Sequence, residues 1–241
     1  MKSLKSFFEN NKVKKLLAVF PHPDDESFLS GGLFTTLENM GIESYLICLS
    51  KGERGLNAKK SGNISNIRET ELKTASEVLG IDHLKLWNFP DASLRETKNK
   101  WIPKLEKEII EINPDTILTF DPSGITGHPD HITSSVETLN LVVKLKKRPL
   151  LLWRVPDFVE RFYFRENGAL VYSAKPNLIH KYSMKVALNK LKAIFSHGSQ
   201  IKNFGFKLQM LEWHLFDHKE LYFNVDLDKK YHHKFVYYKI D

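Results

Sequence analysis

The tripeptide His-Pro-Asp occurs twice in this chain, within Pro21-His22-Pro23-Asp24-Asp25-Glu26 and within Gly127-His128-Pro129-Asp130-His131. Each copy follows an apolar, strand-like run and precedes a helix-like run. Imidazoles and carboxylates at two such turns can hold one divalent metal and leave a base and an acid free. A catalytic zinc takes three protein ligands and keeps one position open. His22, Asp25 and His131 supply two nitrogens and one oxygen for zinc or another divalent transition metal. Asp24 and His128 then remain beside it. A carboxylate there can take a proton from water, and an imidazole can stabilise an oxyanion or protonate a leaving nitrogen. Glu26 and Asp130 could orient the ligands. The set suits hydrolysis of an amide.

Each turn alone is also a good helix start, with proline at the first position and acids in the first turn. What lifts the pair above capping is where the elements put it. The first 155 residues alternate strand and helix. The strands are expected at 13–20, 45–49, 84–89, 116–120 and 150–155, with helices at 28–40, 67–79, 101–112 and 132–145 between them. Strands joined by single helices imply right-handed crossovers and a Rossmann-like, doubly wound α/β fold with a mainly parallel sheet. In the commonest doubly wound order, the first and fourth strands are neighbours at the point where strand order reverses. Both motifs leave carboxyl ends of those strands, so they should meet in one crevice. Residues 156–241 suggest short strands at 169–172, 221–225 and 235–238 and helices at 184–197 and 204–216. No Gly/Ser/Pro linker separates this stretch from the first, so one domain spanning 1–241 is expected, with a 1–155 core and a C-terminal extension packed on it.

Composition narrows the function class. The chain has 241 residues, 41% of them hydrophobic, a net charge of +7 and one cysteine, Cys48, inside an apolar run. No apolar run reaches the roughly 18 residues of a membrane span, and the start lacks a signal-like apolar region. A cytoplasmic protein with no membrane partner is expected, and a homo-oligomer is compatible with the sequence. The positive charge is dispersed and no nucleic-acid motif accompanies it, so no nucleic-acid partner is expected. There is no Gly-x-Ser-x-Gly for a serine nucleophile and no Gly-x-Gly-x-x-Gly after the first strand.

At these residues the chain resembles the zinc-dependent de-N-acetylases of N-acetylglucosamine conjugates, the PIG-L or LmbE-like family. Pro-His-Pro-Asp-Asp-Glu and Gly-His-Pro-Asp-His are that family's two signatures. The loop Leu49-Ser50-Lys51-Gly52-Glu53-Arg54-Gly55, the helix opening Ile67-Arg68-Glu69, and Lys192-Ala193 with Ser196-His197-Gly198-Ser199-Gln200 extend the likeness. The resemblance implies zinc on His22, Asp25 and His131, Asp24 as general base, His128 near the oxyanion or leaving amine, and Arg68 on sugar hydroxyls. The first motif and the Arg54 loop look similar to bacterial members of low-molecular-weight-thiol pathways. Those relatives can carry a tyrosine where this chain has Thr126, so a tyrosine in the oxyanion hole is not carried over.

Arg54 meets either solvent or an anionic substrate group. Asp91 either binds a substrate hydroxyl or starts a turn. His197 is read as a structural hydrogen-bonding residue, not a fourth ligand. The expected activity is metal-dependent release of acetate from a small N-acetyl sugar conjugate. Alternatives are a metal amidohydrolase acting on another acyl-amine, and a sugar- or metal-binding protein without turnover.

Overall fold

Leu16-Leu17-Ala18-Val19-Phe20 is apolar on both sides because its strand lies mid-sheet with helices on each face. Leu16, Ala18 and Phe20 point into one core cluster, and Leu17 and Val19 into the other. The computed structural model describes residues 1–58, 62–201 and 218–228. Among these, eight strands form one sheet in the order β1-β7-β8-β6-β5-β2-β3-β4. They are β1 (Lys2–Ser3), β2 (Lys15–Phe20), β3 (Glu43–Ser50), β4 (His83–Phe89), β5 (Thr116–Phe120), β6 (Leu150–Val155), β7 (Leu178–Lys181) and β8 (Lys219–Asn224). The five strands β2 to β6 are parallel, and β8 runs antiparallel between β6 and β7. β2 and β5 pair directly, Leu16 opposite Thr116, so strand order reverses between them as the topology argument requires.

The helices are α1 (Leu4–Asn10), α2 (Asp25–Leu37), α3 (Ile64–Leu79), α4 (Lys98–Ile112), α5 (Gly124–Gly127), α6 (Pro129–Lys144), α7 (Phe158–Tyr163) and α8 (Met184–Ser196). α2, α3 and α8 cover one face of the sheet through Leu33, Phe34, Leu72 and Ala193. α4 and α6 cover the other through Trp101, Leu105, Leu141 and Val142. Four helices begin three residues earlier than their apolar periodicity suggests, because polar first turns belong to them. His128, for example, caps α6 from outside the apolar pattern.

Residues 169–172, expected as a strand, form a 3-10 turn over Gly168–Tyr172. Asn167 Oδ1 accepts the Ala169 N–H at 2.9 Å, which starts a turn, and Val171 is 79% exposed and finds no sheet to join. α1, α7 and β7 were not legible, being too short for periodicity. The helix expected at 204–216 and the strand at 235–238 lie outside the described residues.

The C-terminal stretch does more than extend the sheet. α2 breaks its helical geometry at Ser30 (φ −136°, ψ 18°), which frees backbone amides inside a buried helix. Glu220 of β8 accepts both, Gly32 N–H at 2.8 Å and Leu33 N–H at 2.9 Å. Lys190 of α8 pairs with the same carboxylate at 2.8 Å, and Tyr222 donates to it at 2.8 Å. Arg154 of β6 donates Nε–H to Leu29 O at 2.5 Å and pairs with Glu160 at 2.7 Å. The helix that begins at the first His-Pro-Asp turn is therefore anchored by residues far along the chain. Removing one member of a buried ion pair typically costs about 3–5 kcal/mol. Glu220→Ala should lose stability of that order in urea denaturation, and Lys190→Met with Glu220→Gln should lose less. A loss below about 1 kcal/mol for Glu220→Ala would show that the cap does not anchor α2.

Candidate active site and metal centre

The first turn is held in a backbone shape that non-glycine residues avoid. Asp24 lies at φ 118°, ψ −27°, a strain of roughly 1–3 kcal/mol that surrounding contacts must hold. Glu26 Oε2 accepts the Asp24 N–H at 3.0 Å. Asp25 Oδ2 accepts the His22 N–H at 2.9 Å. The result aims the side chains of His22 and Asp25 toward the end of β5.

The second turn is equally constrained. Gly124 has φ +61°, and a Cβ there would lie 2.9 Å from His131 Cβ. His131 stacks on Phe120, ring centroids 4.2 Å apart. Its Nδ1 sits 3.0 Å from Gly124 O, so the proton belongs on Nδ1 and Nε2 is free to ligate. Thr126 Oγ1 lies 3.3 Å from the same Nδ1. His128 caps α6, its Nδ1 accepting the Asp130 N–H at 3.2 Å. Asp130 is buried and accepts the N–H groups of Ala92 and Leu94.

These turns meet. His22 Nδ1 and His131 Nε2 are 3.2 Å apart. Asp25 lies 3.2 Å from His131 Nε2 and 3.7 Å from His22 Nδ1. Ligands about 2.0–2.2 Å from a tetrahedral ion stand roughly 3.3–3.6 Å from one another. The three separations, 3.2, 3.2 and 3.7 Å with the two Asp25 distances measured to different oxygens, bracket that edge length to within about 0.1 Å, so two imidazole nitrogens and a carboxylate gather closely enough to fit a divalent metal. The far nitrogen of His22, Nε2, lies 3.0 Å from Asp91 and 3.4 Å from Asp130. With the Nε2 proton held there, Nδ1 is the nitrogen that faces the shared point, where a metal would take the place of its proton. The charge agrees with a cation site. Burial opposes charge on His22, yet Asp130, Asp91 and Asp25 outweigh it and raise its pKa to about 10. His128, also within 4.8 Å of His22 and His131, is instead pushed down to about 4 by burial and by those two rings.

Asp24 flanks the metal point with 24% of its side chain exposed. Burial raises its pKa to about 6, against the opposing pull of Arg68. Arg68, expected on sugar hydroxyls, lines the cleft and is also tied into its wall. It is 3% exposed, its Nη1 donates to Gly52 O at 2.9 Å, and its Nη2 lies 3.0 Å from the Asp24 carboxylate and donates to Pro23 O. It reaches them beneath the loop after β3. A Cβ on Gly52 or Gly55 would lie 2.1 or 2.4 Å from its Nη1, which explains both glycines. Asp91 likewise is occupied, holding His22 with one oxygen and the Arg54 N–H with the other at 2.9 Å. Glu26 and Asp130 sit behind the cleft, each 1% exposed. His197 pairs with Glu26 at 2.7 Å and does not face the metal point.

The metal-facing residues, Asp24, Arg54 and His128 all line a cleft of about 510 Å³. Its outer wall comes from Phe28, Tyr163, Phe164 and Gln200. Gln200 carried no assigned role in the sequence reading, and α7 carried no periodic signal at all.

The family described as GlcNAc-PI de-N-acetylase (PIG-L) matches residues 17–142. A probable N-acetyl-alpha-D-glucosaminyl L-malate deacetylase 2 of Bacillus cereus is 32% identical over 78% of this chain and 84% of its own length. Among solved structures, the N,N'-diacetylchitobiose deacetylase of Pyrococcus horikoshii superposes with a TM-score of 0.70 at 22% identity, covering 91% of this chain and 86% of its own. GalB, the 4-carboxy-2-hydroxymuconate hydratase of Pseudomonas putida, superposes at 0.67 with 18% identity, covering 88% and 96%. The fold alone thus accommodates more than one chemistry. With both signature turns inside the matched residues, the chain belongs to the PIG-L family of GlcNAc-PI de-N-acetylases.

Proposed function

We propose that this chain is a zinc-dependent deacetylase, a single catalytic unit that hydrolyses the acetamide of an N-acetylglucosamine-type conjugate and releases acetate and a free amino sugar. The observation that carries this reading is the convergence of His22, Asp25 and His131 within 3.2–3.7 Å of one another with Asp24 beside them. The names of its relatives support the substrate class. No helix among the described residues is long and apolar enough to cross a membrane, and a small polar conjugate in the cytoplasm is the substrate we assign.

The chemistry that zinc supplies on such a donor set is Lewis acidity toward a carbonyl and toward water. The remaining work falls to the chain. The Asp24 carboxylate takes a proton from the attacking water, and Arg68 keeps that carboxylate oriented. His128 has its Nδ1 occupied as an acceptor, so the neutral ring carries its proton on Nε2. That N–H donates to the developing oxyanion. The proton held by Asp24 passes to the leaving nitrogen as the C–N bond breaks, yielding acetate and the amine. Asp91 and Asp130 keep His22 turned so that Nδ1 faces inward. Arg54, exposed at the rim, is placed to meet a carboxylate or phosphate on the group joined to the sugar.

Three measurements test this. Asp24→Ala should retain zinc in elemental analysis and lose about 10²–10⁴-fold in acetate release. His131→Ala should lose zinc as well, and zinc retained there with Asp25→Ala also loaded would refute the ligand set. Arg54→Ala should raise KM for a carboxylate-bearing conjugate more than for free N-acetylglucosamine, and equal effects would remove the anionic group from the proposal.

A further inference from the structure

The segment that follows α8 touches three separate parts of the cleft within four residues. His197, with no exposed surface, holds Glu26 at 2.7 Å, and Glu26 in turn accepts the strained Asp24 N–H. Ser199 binds Glu71 of α3 twice, through its N–H at 2.8 Å and its hydroxyl at 2.6 Å. α3 is also the helix that carries Arg68. Gln200 then reaches the loop after β3. Its Oε1 accepts the Leu56 N–H at 3.2 Å, and its Nε2 donates to Leu56 O at 2.8 Å. Ser199 O accepts the Ala58 N–H at 2.9 Å.

The Gln200 amide thus pairs with one residue's N–H and C=O together, as a neighbouring strand would. That satisfies backbone groups which a solvent loop would leave to water. The approach needs Gly55, where a Cβ would stand 2.9 Å from Gln200 Oε1. Arg54 lies one residue before that glycine and two before Leu56. Its own N–H is held by Asp91, which also holds His22. The loop is therefore pinned at both ends of the tripeptide Arg54-Gly55-Leu56 that brings Arg54 to the rim.

The geometry points to the turn at 197–200 as a positioning element with two separable outputs. His197 acts through Glu26 on the backbone of Asp24, and so on the chemical step. Gln200 acts through Leu56 on the Arg54 loop, and so on recognition of the group joined to the sugar. Neither residue is catalytic. The inference rests on the deacetylase reading for its kinetic signature, but not for its structural one.

The test uses the full-length, zinc-loaded chain and the variants Gln200→Ala, His197→Ala and His197→Gln. Acetate release is followed on N-acetylglucosamine and on a carboxylate-bearing conjugate, with zinc content measured for each protein. Gln200→Ala should raise KM for the conjugate about tenfold and change kcat by less than about threefold. His197→Ala should show the opposite split, with kcat down about tenfold or more and KM little changed. His197→Gln, whose amide can still donate to Glu26, should recover part of the loss. Because His197 is fully enclosed, amide hydrogen exchange supplies a readout independent of turnover. Exchange at Leu56 should quicken about tenfold or more in Gln200→Ala, and exchange at Asp24 should quicken in the His197 variants. Equal kcat and KM patterns in the two alanine variants would overturn the proposal, as would unchanged exchange at Leu56. If the wild-type chain releases no acetate while exchange behaves as expected, the deacetylase reading fails and the positioning role stands.

Discussion

Parallel pairing of β2 with β5 is the constraint from which the site follows. The two strands end level, with Phe20 and Phe120 in ring contact at 5.2 Å. Each chain direction then delivers its turn to the same end of the sheet. Residues 109 positions apart become neighbours at 3.2 Å without any long loop having to fold over to reach them. Because the pairing is internal to the sheet and apolar on both faces, the positions of His22 and His131 are set by the same burial that stabilises the core.

Those two turns, with the loop after β4, carry a concentration of acid that would be untenable alone. Asp25, Asp91, Asp130 and Glu26 are all nearly buried, and a buried carboxylate needs a partner. Each has one. His131 holds Asp25, His22 holds Asp91 and Asp130, and His197 holds Glu26. Asp24 is the most exposed of the acids in the cleft, with 24% of its side chain open, and it is balanced by Arg68 from the side. The division proposed here between ligand, orienting group and base rests on who faces what, since all five side chains are the same chemical type.

The turns themselves were legible because proline, histidine and aspartate mark a strand-to-helix junction twice, and because topology alone makes the two junctions adjacent. Arg68 was legible as unusual at a helix start, but not in its contacts. Its partners are backbone carbonyls reached beneath two glycines, a relation that no spacing rule encodes. Asp91 was recognised as polar and well placed, yet its approach to His22 is set by the registers of β2 on β3 and of β3 on β4. α7, with Phe158, Phe162 and Tyr163 exposed, shows neither a helical stripe nor strand alternation. Its capping box of Asp157 and Glu160 is the one local signal that would have found it.

The antiparallel β8 sits between β6 and β7 although it is made last of the described strands. A ribosome releasing this chain would expose β6, Leu150–Val155, as an open hydrophobic edge while about 70 further residues were still being joined. Such an edge invites pairing with another chain. The same delay keeps Glu220 from capping the break in α2 until the last described strand has been made. The geometry thus makes the C-terminal strand a condition for both the closed edge of β6 and the capped break in α2.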